Sequence, residues 1–61
     1  MPIIQIELLE GRSIEQKKEI VSQITKTLVE VAKCQANDVR IIIRDMKTDN
    51  YAVGGKLKCH S

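Results

Sequence analysis

The second residue of the chain is a proline, and its chemistry depends on the methionine before it. Methionine is usually trimmed when the next residue is small, and removal of Met1 would leave Pro2 with a secondary amine on a rigid ring. An ordinary α-amino group has a pKa of about 7.7–8.0, and a prolyl nitrogen is more basic. Burial and nearby cations both lower the pKa of an amine. Pro2 is therefore a candidate general base near neutral pH, although most Met-Pro starts have no such role.

Two arginines make a catalytic role for Pro2 more credible. Arg12 follows Gly11 where a strand should meet a helix, and Arg40 lies in an apolar segment, where an unpaired charge is costly. The planar guanidinium fork matches a carboxylate, so these side chains could hold an anionic substrate and lower the pKa of Pro2. The alternative for Arg12 is a solvated side chain. The alternative for Arg40 is a structural salt bridge, with Asp38, Asp45 or Glu10 of another copy as possible partners.

Tyr51 is the only aromatic residue of the chain. It could form one wall of an apolar pocket, where low polarity would strengthen nearby electrostatic interactions, or it could fill a subunit interface. Lys56 and Lys58 are interpreted as surface charge. The sequence alone leaves both roles of Tyr51 open.

The elements that must position these residues follow from hydropathy and capping patterns. Ile4, Ile6 and Leu8 alternate with polar neighbours, which is typical of a strand. Ser13 and Gln16 fit a capping box, and apolar residues then recur at steps of three and four, as on one face of a helix. The predicted elements are a strand at 3–9, a helix at 13–33, a strand at 39–44 that is apolar on both faces, and a Gly-Gly hairpin at 51–57.

The chain has 61 residues and neither Phe nor Trp, so residues 1–61 should form one domain with a core of Ile, Val and Leu. A domain this small usually needs disulfides, a metal or partner subunits. Two distant cysteines and one histidine offer neither a disulfide framework nor a metal site. We therefore expect no metal and no cofactor, and a chain that is stable only as a homo-oligomer.

The charge balance and hydropathy exclude several classes of partner. A net charge of +2 is too even to indicate nucleic acid, and no apolar run is long enough to predict a membrane span. A ribbon-helix-helix DNA binder is disfavoured because it needs two helices after a basic strand. The absence of a leader and the two unpaired thiols, Cys34 and Cys59, predict a cytoplasmic protein.

The motifs together resemble the 4-oxalocrotonate tautomerase family. They are the start Met-Pro-Ile-Ile-Gln-Ile, then Leu-Glu-Gly-Arg-Ser, Val-Arg-Ile-Ile-Ile and Tyr-Ala-Val-Gly-Gly-Lys. Each motif is weak alone, but their spacing is specific and covers nearly the whole chain. The resemblance implies an α/β fold, with a β-α-β protomer and a carboxyl-terminal hairpin. It further implies that protomers pair into dimers and that three dimers form a hexamer with sites shared between subunits.

The resemblance also implies an activity and a role for each candidate residue. The activity would be a 1,3 proton transfer on 2-hydroxymuconate or a 2-oxo-hexenedioate-type dicarboxylate, in which Pro2 moves a proton between C3 and C5 through a dienol. Arg12 would bind the distal carboxylate, Arg40 the 2-oxo group and the first carboxylate, and Tyr51 and the backbone at Leu9 would border the pocket. No acid follows Tyr51, which argues against the hydration chemistry of dehalogenating relatives. The alternatives are a tautomerase for other enols and a non-catalytic oligomer on the same scaffold.

Overall fold

A computed structural model describes residues 1–60 and, of residue 60, the backbone only. The elements follow one another as β1 (Ile3–Leu9), α1 (Ile14–Val31), β2 (Arg40–Met46), β3 (Ala52–Val53) and β4 (Lys56–Leu57). Short 3-10 turns at Ala36–Asp38, Thr48–Asn50 and Lys58–His60 connect or follow them. This order confirms the predicted β-α-β unit with a carboxyl-terminal hairpin.

The two long strands form a parallel pair, as a helical crossover between them requires. The register pairs Ile3 with Arg40 at one end and Leu9 with Met46 at the other. The strand predicted at 39–44 begins one residue later and runs two residues further, to Met46. The extension occurs because β1 continues to Leu9 and each of its residues finds a partner along β2.

The helix begins at the predicted capping box. The Ser13 hydroxyl accepts from the Gln16 backbone N–H at 3.1 Å, and the Gln16 side chain accepts from the Ser13 N–H at 2.9 Å. α1 ends at Val31, two residues before the predicted boundary, and Ala32 caps it through its N–H to the Leu28 carbonyl. Among residues 1–60, no helix is long and apolar enough to cross a membrane.

The capping box should contribute measurably to the free energy of unfolding. We expect Ser13→Ala to lower the free energy of unfolding by about 1 kcal/mol, because it leaves a helix N–H without its acceptor. Urea or thermal unfolding followed by circular dichroism measures this change. Ser22→Ala, at an exposed position inside α1, is the matched control and should change stability by no more than about 0.5 kcal/mol. Equal losses in both variants would contradict the capping assignment.

The sheet has two unlike faces. Ile4, Ile6 and Leu8 are half-buried, in alternation with exposed residues of β1, and α1 supplies half-buried apolar residues from Ile20 to Val29. We infer that these two sets pack against each other. An ion pair between Lys17 of α1 and Asp45 of β2 joins the helix to the strand.

The opposite face of the sheet is open. Ile3 is 60% exposed and Ile42 is 43% exposed. On the same face, the Arg44 guanidinium donates to the Glu7 carboxylate at 2.8 Å and to the Gln5 side-chain oxygen at 3.2 Å. In a single protomer α1 therefore covers only one face of β2, and burial of the other face in an inter-subunit sheet stays a prediction.

The protomer lacks a fully buried core within residues 1–60, where no hydrophobic side chain is buried. Its radius of gyration is 14.7 Å, whereas a compact chain of this length would have about 10.5 Å. Its accessible surface is 4884 Å², against about 4,000 Å² for a folded monomer of this mass. A chain with so little burial does not offset its conformational entropy alone, which agrees with the expected need for partner copies.

Candidate active site

Pro2 and Arg40 lie at the same end of the sheet. The backbone N–H of Arg40 donates to the Pro2 carbonyl at 3.0 Å, immediately before the first registered pair, Ile3 with Arg40. Pro2 is half-buried, whereas the side chain of Met1 is 79% exposed. The Met1–Pro2 peptide bond therefore runs from an open surface to a half-buried ring. While Met1 is attached, the Pro2 nitrogen is an amide and cannot accept a proton.

The Arg40 side chain is held by the turn before β2. The 3-10 turn Ala36–Asp38 brings the Asn37 carbonyl to the guanidinium, and Nη1 of Arg40 donates to it. Arg40 is the first residue of β2, so it lies in the predicted strand, but it is exposed and its charge is not buried in one protomer. Within residues 1–60 of one protomer, the Arg40 guanidinium hydrogen-bonds a carbonyl and pairs with no carboxylate. The alternative of a salt bridge within the chain is therefore not supported.

Leu9 and Arg12 lie at the other end of the sheet. The N–H of Glu10 donates to the Met46 carbonyl at 2.8 Å and closes the parallel pair. The chain then turns at Gly11, whose φ is +123°, and Nη1 of Arg12 donates to the Leu9 carbonyl at 3.1 Å. Arg12 also borders an open cleft of about 300 Å³ on the side of α1, with Gln16, Glu19, Ile20 and Gln23 as its other lining residues.

The two pairs are far apart within one protomer. From Ile3 to Leu9 the chain advances six residues along a strand, which is about 20 Å. The structure therefore brings Pro2 to Arg40 and Leu9 to Arg12, but it does not bring the pairs together. Within one protomer, Pro2 and Arg12 therefore lie at opposite ends of the sheet.

Tyr51 lies just before the hairpin. Its carbonyl accepts from the Lys58 N–H at 2.8 Å, which ties the turn before β3 to the residue after β4. The side chain is 40% exposed and lines a cleft of about 350 Å³ together with Val53, Lys56 and Lys58. The two lysines, interpreted from the sequence as surface charge, thus border the same cleft as the only aromatic ring.

Sequence reasoning missed Asn37. Its carbonyl holds Arg40, and no residue-type pattern signals such a contact, because any residue in that turn offers a carbonyl. From the sequence, the turn at Ala36–Asp38 is recognisable only as a polar segment between the helix and the second strand.

Among residues 1–60, no group of three or more His, Cys, Asp and Glu side chains lies close enough together to hold a metal ion. The candidate site residues Pro2, Arg12, Arg40 and Tyr51 offer an amine masked by Met1, guanidinium groups and a phenol. This set can move protons and bind anions.

Comparison with known proteins identifies the family. The family model described as "Tautomerase enzyme" matches residues 2–60. A 2-hydroxymuconate tautomerase from Comamonas testosteroni is 42% identical over 55 residues, covering 90% of this chain and 87% of the relative. Other curated relatives are described only as probable tautomerases.

Solved structures agree with the sequence relatives. A structure from the 4-oxalocrotonate tautomerase isozymes of Methylibium petroleiphilum superimposes with a TM-score of 0.91 at 37% identity, covering 97% of this chain and 92% of that one. A heterohexameric 4-oxalocrotonate tautomerase from Chloroflexus aurantiacus gives 0.88 at 30% identity, covering 97% and 95%. The fold is thus that of these proteins, and the chain belongs to the 4-oxalocrotonate tautomerase family.

Proposed function

We propose that the protein is a cofactor-independent tautomerase whose general base is the amino-terminal nitrogen of Pro2 after Met1 is removed. The observation that carries the proposal is the position of Pro2 in a chain of this family. It is half-buried at the start of β1, with its carbonyl bonded to the strand that begins with Arg40. An amine in that position would be partly desolvated, which favours its neutral, proton-accepting form, and a neighbouring guanidinium would act in the same direction.

The proposed reaction is a 1,3 proton transfer on an unsaturated 2-oxo-hexenedioate-type dicarboxylate, whose dienol form is 2-hydroxymuconate. The Pro2 nitrogen takes a proton from C3, or from the hydroxyl group when 2-hydroxymuconate is the substrate, and the electron pair moves towards the 2-oxo group to give a dienolate. The same proton is then delivered to C5 as the double bond migrates and the oxo group re-forms. The base is regenerated and no atom is gained or lost, so the step needs no oxidant, reductant or metal.

The arginines would make the transfer easier by holding charge. Arg40 would hold the 2-oxo group and its neighbouring carboxylate, where negative charge develops in the dienolate. Arg12 would bind the distal carboxylate and draw electron density along the conjugated system. Tyr51 and the backbone at Leu9 would form the pocket walls. Because Pro2 and Arg12 lie at opposite ends of β1, we propose that each site is shared between subunits.

An assembly of copies follows from the same argument. The open sheet face and the absence of buried hydrophobic side chains in residues 1–60 support a homo-oligomer. The Chloroflexus relative, described as a heterohexamer, supports six subunits, and we propose that they are arranged as a trimer of dimers. The free thiols of Cys34 and Cys59 fit the reducing interior of a cell, so we place the reaction in the cytoplasm.

The first test is an ultraviolet assay of 2-hydroxymuconate ketonisation on a sample whose intact mass shows that Met1 is absent. We expect turnover by the wild type. Arg40→Ala should lower kcat/KM about ten- to a hundredfold, because it removes charge-assisted hydrogen bonds to the substrate. Lys26→Ala removes one positive charge from the exposed side of α1 and should have little effect.

A second candidate function is tautomerisation of a monocarboxylate enol, which the broader description of most curated relatives leaves open. Phenylenolpyruvate is the discriminating substrate. Faster turnover of phenylenolpyruvate than of 2-hydroxymuconate would replace the dicarboxylate assignment, and turnover of neither compound by the trimmed protein would favour a non-catalytic oligomer.

A further inference from the structure

Both arginines of the proposed site are anchored in the same way. Arg12 donates through Nη1 to the carbonyl of Leu9, and Arg40 donates through Nη1 to the carbonyl of Asn37, in each case three residues earlier. A guanidinium has five N–H donors in a fixed plane. Using one of them on the main chain fixes the direction of that plane and leaves the others for a ligand.

The two anchors depend on different backbone geometry. For Arg40, the carbonyl comes from a 3-10 turn that ordinary residues can form. For Arg12, the chain must reverse between Leu9 and the helix cap Ser13, and Gly11 makes that turn with φ at +123°. Residues with a side chain rarely adopt this conformation.

The open space around Gly11 separates the effect of backbone conformation from any steric effect of a side chain. A Cβ added at this position would meet no atom within 4 Å. An alanine there would therefore not collide with a neighbour, and its cost would come from the conformation of the turn. Relief of that strain would redirect residues 10–12 and withdraw Arg12 from the Leu9 carbonyl.

We propose that Gly11 is a positioning residue that holds Arg12 on the Leu9 carbonyl and thereby determines the preference for dicarboxylate over monocarboxylate substrates. The inference rests on the proposed function, in which Arg12 binds the distal carboxylate. A monocarboxylate enol lacks that group, so a misplaced Arg12 affects only the dicarboxylate. A general loss of folding or assembly would affect both substrates.

The experiment compares Gly11→Ala with the wild type on 2-hydroxymuconate and on phenylenolpyruvate. We expect KM for 2-hydroxymuconate to rise about ten- to a hundredfold, as for loss of a charged hydrogen bond, and the constants for phenylenolpyruvate to change less than about twofold. Equal losses on both substrates would overturn the proposal.

A double-mutant cycle tests whether Gly11 acts through Arg12. Once Arg12→Ala has removed the guanidinium, adding Gly11→Ala should cause little further loss on 2-hydroxymuconate. Additive losses would mean that Gly11 acts on something else. The chain is short enough for chemical synthesis, and D-alanine at position 11, which favours positive φ, should restore the wild-type KM. Failure of this rescue, with folding intact, would also count against the proposal.

Whether Gly11 holds Arg12 on the Leu9 carbonyl can be tested without an activity assay. A crystal structure of Gly11→Ala should show the Arg12 guanidinium displaced from the Leu9 carbonyl. If the contact is kept, the proposal is wrong even if the enzyme is active. If the wild type turns over neither substrate, the proposed function fails, and the crystal structure still gives the answer for Gly11.

Discussion

Replacement of Pro2, the proposed base, should give the largest loss of activity in this protein: Pro2→Ala is expected to lower kcat/KM for 2-hydroxymuconate by about 10²- to 10⁴-fold, the range for loss of a positioned general base. Alanine also leaves an amine when Met1 is removed. However, that amine is primary, less basic and not held by a ring, so some activity should remain.

The alternative that Pro2 serves only strand geometry needs its own control. A chain extended by two residues before Pro2 keeps the ring at the start of β1 but converts its nitrogen into an amide. We expect this extended chain to be at least as inactive as Pro2→Ala, with the same circular dichroism and oligomer size as the wild type. An active extended chain would exclude Pro2 as the base and support a purely structural role.

The second large effect is recovery of activity when two inactive variants are mixed. Pro2→Ala lacks the base and Arg12→Ala lacks the distal arginine, and these residues lie at opposite ends of β1. If each site takes Pro2 and Arg12 from different subunits, random mixing in equal amounts should make about one quarter of the sites complete in a symmetric assembly. The ketonisation assay after unfolding and refolding the mixture together measures this recovery.

The control for the mixing experiment uses a double variant. Pro2→Ala mixed with the Pro2→Ala, Arg12→Ala chain contains no intact base and should stay inactive. Native mass spectrometry shows whether mixed oligomers have formed. Mixed oligomers without recovered activity would mean that each site draws both residues from one chain, which the strand length of about 20 Å opposes.

Much of the fold could be predicted because local patterns decide it. The alternation of Ile4, Ile6 and Leu8 produced the correct strand, and the Ser13–Gln16 capping box marked the start of α1 correctly. The paired glycines, both with positive φ, placed the short hairpin. These features depend on neighbours within a few residues, so the order of side chains along the chain contains the information.

The candidate site residues could also be identified from the sequence, but their spatial arrangement could not. The position of Pro2 at the chain start and the Gly-Arg pair at positions 11 and 12 identified residues that could act on a dicarboxylate. The exposure of Arg40, its contact with the Asn37 carbonyl and the added length of β2 were all missed. The length of β2 depends on pairing with the distant β1, whereas the Asn37 contact is local but uses a main-chain carbonyl, which no residue type signals.

The order of residues was enough to predict the strands, the helix and the family motifs, because each of these depends on neighbours along the chain. The exact register of the parallel pair is seen only in the folded chain, where it places Pro2 beside Arg40 and at the opposite end of the sheet from Leu9 and Arg12. Parallel pairing aligns the same ends of β1 and β2, and an extended strand keeps its two ends about 20 Å apart. The residue types do not reveal this separation, which determines whether one chain can supply all the residues of the site.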